Sequence, residues 1–278
     1  MRFIMAIIVC SLVCGCMKDA EYDVEYSEHL VVDGSIESGC CAVVALSLNI
    51  PFCGSYNRDD FRDMIVRWAK VTVECDGRRE VLVGRREKDY PTQYIYTGSE
   101  IFGEVGKSYT LIVQYSGRTW QATTTIPEPA ELSNITVERV RDSLCAIYAT
   151  LPPLDTPCAI DCALGDSHYY APTLLGVYDA CDTMRRVQIS RPLDNLYRGD
   201  YMTMYKATDS VRLKLCTMDR FSYTYRSLWE NNVINSFNPI FPAVDNLPTN
   251  MSGDAMGIWA GYGRSIVRLG VVGNMMSQ

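Results

Sequence analysis

The stretch from Ser108 to Thr125, SYTLIVQYSGRTWQATTT, constrains the fold more than any other. Tyr109, Leu111, Val113 and Tyr115 alternate with Thr110, Ile112 and Gln114, the period-2 pattern of a strand that packs mainly on one face. Ser116-Gly117 follows where a tight hairpin needs positive φ, and a second strand runs from Thr119 to Ile126. Comparable runs occur at Leu30 to Ile36, Cys41 to Leu48, Ala69 to Cys75, Glu80 to Arg85 and Tyr94 to Thr97, with Asp76-Gly77 as another tight turn. Short strands punctuated in this way predict an immunoglobulin-like or fibronectin-like β-sandwich over 28–129. The charged stretch from Asn57 to Trp68 reads as an insertion with one helical turn.

Ile126-Pro127-Glu128-Pro129 interrupts the pattern, because proline removes a ladder donor and pushes its predecessor to an extended conformation. It is the expected boundary to a second β-rich domain, 130–278. The fold class expected is therefore mainly β: a sandwich, then a β-rich domain with one amphipathic helix. Strands are expected at Asn134 to Arg141, Leu144 to Thr150, His168 to Tyr170, Leu174 to Tyr178, Arg186 to Ile189, Ser210 to Cys216 and Ile266 to Val272. A loop rich in proline and cysteine is expected from Pro152 to Gly165. The helix is placed near 219–232, capped by Asp219, with Phe221, Tyr225, Leu228 and Trp229 as a core-facing stripe and Asn231-Asn232 at its end.

The first residues have the form of an export signal: Arg2, then an apolar run from Phe3 to Val13, too short to span a bilayer. Val13-Cys14-Gly15-Cys16 looks like a bacterial lipobox, with an aliphatic residue at −3 and a small one at −1 from Cys16. Only a cysteine thiolate serves as the nucleophile that takes up the diacylglyceryl group. Residues 1–15 are thus expected to be a lipoprotein signal peptide and 16–27 a tether, with Cys16 held in outer-membrane lipid. Lys18, Asp19 and Glu21 resemble a short surface-export signal. The expected location is the outer membrane, lipid-anchored and exposed at the cell surface, with the periplasmic face as the alternative.

A net charge of −7 without a basic stripe excludes nucleic acid as a natural partner. Arg78-Arg79 and Arg85-Arg86 are balanced by Glu80 and Glu87 and read as solvated faces. The later cysteines, Cys40, Cys41, Cys53, Cys75, Cys145, Cys158, Cys162, Cys181 and Cys216, are odd in number. Cys40, Cys41, Cys75, Cys145 and Cys216 read as small buried hydrophobes. A Cys158 to Cys162 or Cys162 to Cys181 disulfide is favoured over zinc held with His168, since paired short ligand spacings are lacking. Asp59, Asp60 and Asp63 lack the spacing of a calcium loop, so no metal or cofactor is expected. No nucleophile elbow or phosphate loop occurs, and His29 and His168 read as structural. No catalytic residue is therefore expected. The many tyrosines offer stacking and hydrogen-bonding faces for a sugar, a peptide or a partner protein.

Several segments, in order, resemble one family: HLVVDGSI, WAKVTVECDG, GEVGKSYTLIVQYSGRTWQATTTIPEP, FSYTYRSLW and LPTNMSGDAMGIWAGYG. They look like the Bacteroidota lipoproteins catalogued as domain of unknown function 4249. The best match is the pattern Asn250, Gly253, Gly257, Trp259, Gly261 and Tyr262, expected to be structural; relatives more often carry Phe at the Trp259 position. The resemblance implies a TonB-dependent transporter as partner. It also implies a non-catalytic accessory role, capturing or gating a small molecule, glycan or peptide. A structural surface protein, such as an adhesin or envelope assembly component, is the alternative; an extracellular hydrolase comes third.

Overall fold

The structure is a computed structural model that describes residues 27–49, 62–141, 143–192, 203–236 and 246–277. Cys16, Lys18, Asp19 and Glu21 lie outside these residues, as do Cys53, Asp59 and Asp60. The chain is mainly β, with sixteen strands in three sheets and one long α-helix among the described residues.

In the first half, β1 (Leu30–Glu37), β2 (Cys41–Leu48), β5 (Val83–Arg86) and β6 (Tyr94–Phe102) belong to an eight-stranded sheet. β3 (Lys70–Cys75), β4 (Arg78–Val81), β7 (Ser108–Tyr115) and β8 (Arg118–Thr125) form a four-stranded sheet facing it. Both expected hairpin turns are present: Asp76-Gly77 and Ser116-Gly117 all have positive φ, the signature of a type I′ turn. Val32, Ile36, Val44 and Leu46 of the long sheet and Val71, Val73, Leu111 and Trp120 of the short one are buried in one core.

The run expected as a single strand from Glu80 to Arg85 is two. Leu82 is buried and its N–H donates to Val71 O at 2.8 Å, so the chain crosses between sheets there. Glu80, expected on a solvated face, is buried instead. Its carboxylate accepts N–H bonds from Ser99, Glu100 and Ile101 and stitches β4 to β6. Burial alone would raise its pKa, but these donors hold it below the ordinary value.

In the second half, β10 (Leu144–Leu151) is flanked by β9 (Ser133–Arg141), β13 (Arg185–Ile189) and β14 (Tyr205–Lys206) in a third sheet. β11 (Cys158–Leu164), β12 (Ala171–Tyr178), β15 (Ser210–Thr217) and β16 (Met256–Val271) extend the long sheet, whose order is β12-β11-β15-β16-β1-β2-β6-β5. Cys145, Ile147, Leu151, Cys158, Ile160, Leu213 and Leu215 share a second core. One long sheet thus covers two short ones.

Three expectations are corrected here. The Pro- and Cys-rich loop contains β11, because CAIDCAL is an almost wholly buried run between β12 and β15. His168 to Tyr170 is not a strand; β12 begins at Ala171. The final strand begins ten residues earlier than Ile266, since the glycine-rich return is itself paired, parallel to β1. That pairing carries Met251, Ala255 and Trp259 into the first core, so residues after 130 do not all belong to the second.

The cysteine pairs expected to bridge do not. Cys158 and Cys162 are four residues apart on one strand, roughly 13 Å, beyond the reach of a disulfide. Cys181 carries a free thiol, hydrogen-bonded with Thr183 Oγ1 at 3.2 Å. Cys75, Cys145 and Cys216 are buried, as expected, while Cys40 and Cys41 are half-buried.

The helix, α1 (Arg220–Ser236), is capped as expected: Asp219 Oδ1 accepts the Ser222 N–H at 2.7 Å. It runs through Asn231 and Asn232 to Ser236.

Candidate functional site

The outer face of the long sheet, turned away from both cores, carries charge. Along β1 the outward residues are Val31, Asp33, Ser35 and Glu37, the complement of buried Leu30, Val32, Gly34 and Ile36. Register places Tyr262 beside Glu37, Arg264 beside Cys216, and Lys214 beside Asp161. Four neighbouring strands therefore deliver ionisable side chains to one surface.

These side chains pair in a chain. Arg264 Nη1 lies 3.6 Å from Glu37 Oε2, and Glu37 Oε1 lies 2.5 Å from Lys214 Nζ. Lys214 reaches Asp161 Oδ2 at 3.6 Å, and Asp161 takes a two-pronged contact from Arg226 of α1. Asp161 is 6% and Lys214 11% exposed. Burial would push Asp161 up, yet Arg226 and then Lys214 bring its pKa below the ordinary value, so it stays ionised. Such a pair is expensive to desolvate and costly to break singly.

Asp161 also explains how the helix sits. Ser222, Arg226 and Glu230 recur every four residues and face the protein; Ser222 and Glu230 are buried. Glu230 Oε1 accepts the Gly176 N–H at 3.0 Å. The stripe of Phe221, Tyr225, Leu228 and Trp229, expected in the core, is only half-buried. The helix thus turns its polar side inward, because the sheet beneath presents a carboxylate and an N–H that need partners.

Tyrosines surround this surface. The rings of Tyr90 and Tyr169 meet at 5.0 Å, and the His168 N–H donates to Asp89 Oδ2 at 2.8 Å, joining the two loops that carry them. Tyr170 receives Lys214 at 5.2 Å and Arg212 at 5.6 Å, and Tyr262 receives Arg226 at 5.9 Å. Burial raises the hydroxyl pKa of Tyr90, Tyr169, Tyr225 and Tyr262, that of Tyr225 to about 12. All four are neutral donors at physiological pH.

Asp33 stands apart within this arrangement. It is exposed and makes no hydrogen bond or ion pair among the described residues. The same four tyrosines lie within electrostatic reach of it. Its pKa is raised, by the protein packed around it and against the pull of Arg226. The cations nearby are already paired, which leaves Asp33 as an acceptor for an incoming donor, with neutral phenols around it.

The residues singled out from the sequence lie elsewhere, in a structural clamp. Asn250 and Trp259 exchange bonds: Asn250 Nδ2 donates to Trp259 O at 2.8 Å and Trp259 N to Asn250 Oδ1 at 3.0 Å. The Trp259 indole N–H donates to Tyr109 O at 2.9 Å across the core. Gly257 has φ +97°, and a Cβ there would lie 1.9 Å from Val32 O, so only glycine lets β16 approach β1. At Gly261 a Cβ would lie 2.6 Å from Thr125 O, and Gly253 packs on Trp120. Tyr262 is the member of the set that reaches the charged surface. His29 Nδ1 contacts Asp254 O at 2.9 Å, just ahead of β16, and His168 is exposed.

Asp33, Glu37, Asp161, Lys214 and Arg226 were not singled out from the sequence. The available signal was a charge inside an apolar strand, as in CAIDCAL and VRLKLC. Among the described residues no three His, Cys, Asp or Glu side chains gather to hold a metal ion, and no helix is long and apolar enough to cross a membrane.

A family model described as domain of unknown function, DUF4249, matches residues 18–265. No curated protein matches the chain.

Proposed function

Because the chain belongs to the DUF4249 family, we propose that it is a lipid-anchored outer-membrane or surface protein serving a TonB-dependent transporter as a non-catalytic accessory. It captures or gates a polar nutrient ligand on the surface around Asp33. The observation that carries this reading is the exposed, unpartnered Asp33 carboxylate among four neutral tyrosines, beside cations that are already paired. Such a surface offers acceptors, donors and aromatic faces to a small molecule, glycan or peptide. The Val13 to Cys16 lipobox supports the anchor, and Lys18, Asp19 and Glu21 support exposure at the cell surface.

The ion chain supports recognition rather than catalysis. Lys214 and Arg226 stay charged beside their carboxylates and are not set up to exchange protons near neutral pH. Their role is to fix the positions of Tyr170 and Tyr262, against whose rings they lie.

Co-purification of the tagged protein in mild detergent, with uptake assays on a deletion strain, tests this reading. Recovery of a transporter and an uptake defect are expected, and Asp33→Asn should reproduce the defect in a protein that still folds. No transporter recovered and unimpaired uptake would sink it. Lost attachment or envelope integrity with normal uptake would point to a structural surface protein instead.

A further inference from the structure

The end of the first sandwich where the chain enters carries an exposed tryptophan among cations. Asn49 Nδ2 donates to Ser27 O at 3.0 Å, and Leu30 pairs with Leu48, so the entering chain lies at this end of β1 and β2. Met64, Ile65 and Val66 run back along Leu48, Ser47 and Leu46. Arg67 and Trp68 then turn outward before β3, and Trp68 is 91% exposed.

This exposure is built in. The Tyr96 hydroxyl donates to Val66 O at 3.0 Å and accepts from Ala69 N at 3.1 Å, while the Tyr94 hydroxyl donates to Arg67 O at 3.3 Å. The backbone is pinned on both sides of Trp68, which holds the ring outward. Arg86 opposes Tyr94 across the β5 to β6 pairing, so its side chain lies on the Tyr94 side of the sheet. Arg67, Lys70 and Arg86 are exposed and form no ion pair among the described residues. An aromatic ring with an apolar body and a polar edge, beside unneutralised cations, suits a boundary between water and anionic lipid.

We propose that this end docks on an anionic lipid bilayer, with Trp68 at headgroup depth and Arg67, Lys70 and Arg86 on lipid phosphates. The proposal rests on the reading of Cys16 as the anchor. From Cys16 to Ser27 the chain spans at most roughly 40 Å, so the end that Ser27 enters stays within that reach of the bilayer. The lipid then retains the protein, and the patch sets which end faces the membrane.

The test uses the chain without residues 1–15 and with Cys16→Ser, which leaves every described residue in place. It is floated with phosphatidylethanolamine/phosphatidylglycerol vesicles and, in parallel, with neutral phosphatidylcholine vesicles. Binding to the anionic vesicles alone is expected, weakened by salt, with a blue shift in the Trp68 emission. Each cation contributes about fivefold in partitioning, so Arg67→Gln, Lys70→Gln and Arg86→Gln together should reduce it by at least about tenfold. Trp68→Ala should also reduce it, with an unchanged thermal melt. No binding to anionic vesicles, binding unaffected by these changes, or binding only to the co-purified transporter would overturn the proposal. Acylation of Cys16 in the intact protein, read by mass spectrometry, tests the anchor separately.

Discussion

Replacing Trp259 with Phe isolates what the Asn250 to Tyr262 segment contributes to the first core. Trp259 is fully buried, with its indole N–H on Tyr109 O at 2.9 Å and its Cε3 atom 2.9 Å from where a Cβ on Gly34 would lie. The change removes about 40 Å³ of side chain, and at about 24 cal/mol per Å³ the resulting cavity costs about 1 kcal/mol. Losing the indole hydrogen bond, with the Tyr109 carbonyl left short of a donor, costs about 1 kcal/mol more. The loss of about 2 kcal/mol should appear in urea unfolding as a lower midpoint with an unchanged slope, and as a fall of about 4–8 °C in Tm. A double-mutant cycle with Gly34→Ala sharpens the test. The added methyl collides with the indole but finds space beside the smaller phenyl ring, so Gly34→Ala should cost less in the Trp259→Phe background. A loss below about 0.5 kcal/mol, or additive effects in the cycle, would refute the account of Trp259 as a wedge between Gly34 and β7.

Three further outcomes follow from the charges and thiols. Arg226→Met leaves Asp161 with Lys214 at 3.6 Å as its one cation, beside the Cys216 thiol at 3.8 Å, and should cost about 3–5 kcal/mol, while adding Asp161→Asn should restore part of the loss; equal or larger loss in the double variant would contradict the pairing. Trp120 and then Arg118 hold Asp254 at a pKa of about 2. Its contribution to stability is therefore present above the ordinary carboxylate pKa and disappears as pH falls through about 2, and acid unfolding of Asp254→Asn should lack that component. Iodoacetamide on the native protein should label Cys181, whose pKa its Thr183 partner lowers, well before Cys158, which burial pushes up to about 12. Equal labelling rates measured by mass spectrometry would place both thiols in the same environment.

Much of the sandwich was legible because its strands alternate and its turns carry their own chemistry. Cys41 to Leu48 and Ser108 to Tyr115 were read with their observed bounds, and Asp76-Gly77 and Ser116-Gly117 with their observed geometry. β11 was missed because a strand buried on both faces has no alternation, and its two cysteines with the prolines just before it resemble a loop. The first half of β16 was missed for a related reason. Its glycines are the means by which it approaches β1 and β8, and that need appears only when the strands are side by side. The charged surface was the least legible, since Asp33, Asp161, Lys214 and Arg226 converge from distant segments and none forms a local motif. The helix misled in the opposite sense: its apolar stripe is evident in the sequence, but the ion pair beneath decides which side turns inward.

The parallel pairing of β1 with β16 also governs when the protein can become itself. His29 and Asp254 are separated by 225 residues, yet they touch where the two strands begin. The first sandwich therefore lacks the strand beside β1, and the Met251, Ala255 and Trp259 side chains of its core, until the residues around Asp254 have been made. A growing chain cannot close it early, and closing such a distant contact is slow. Under the export route proposed above, that delay keeps the leading half threadable through a narrow translocation channel. The last strand then acts as a latch, thrown only after passage.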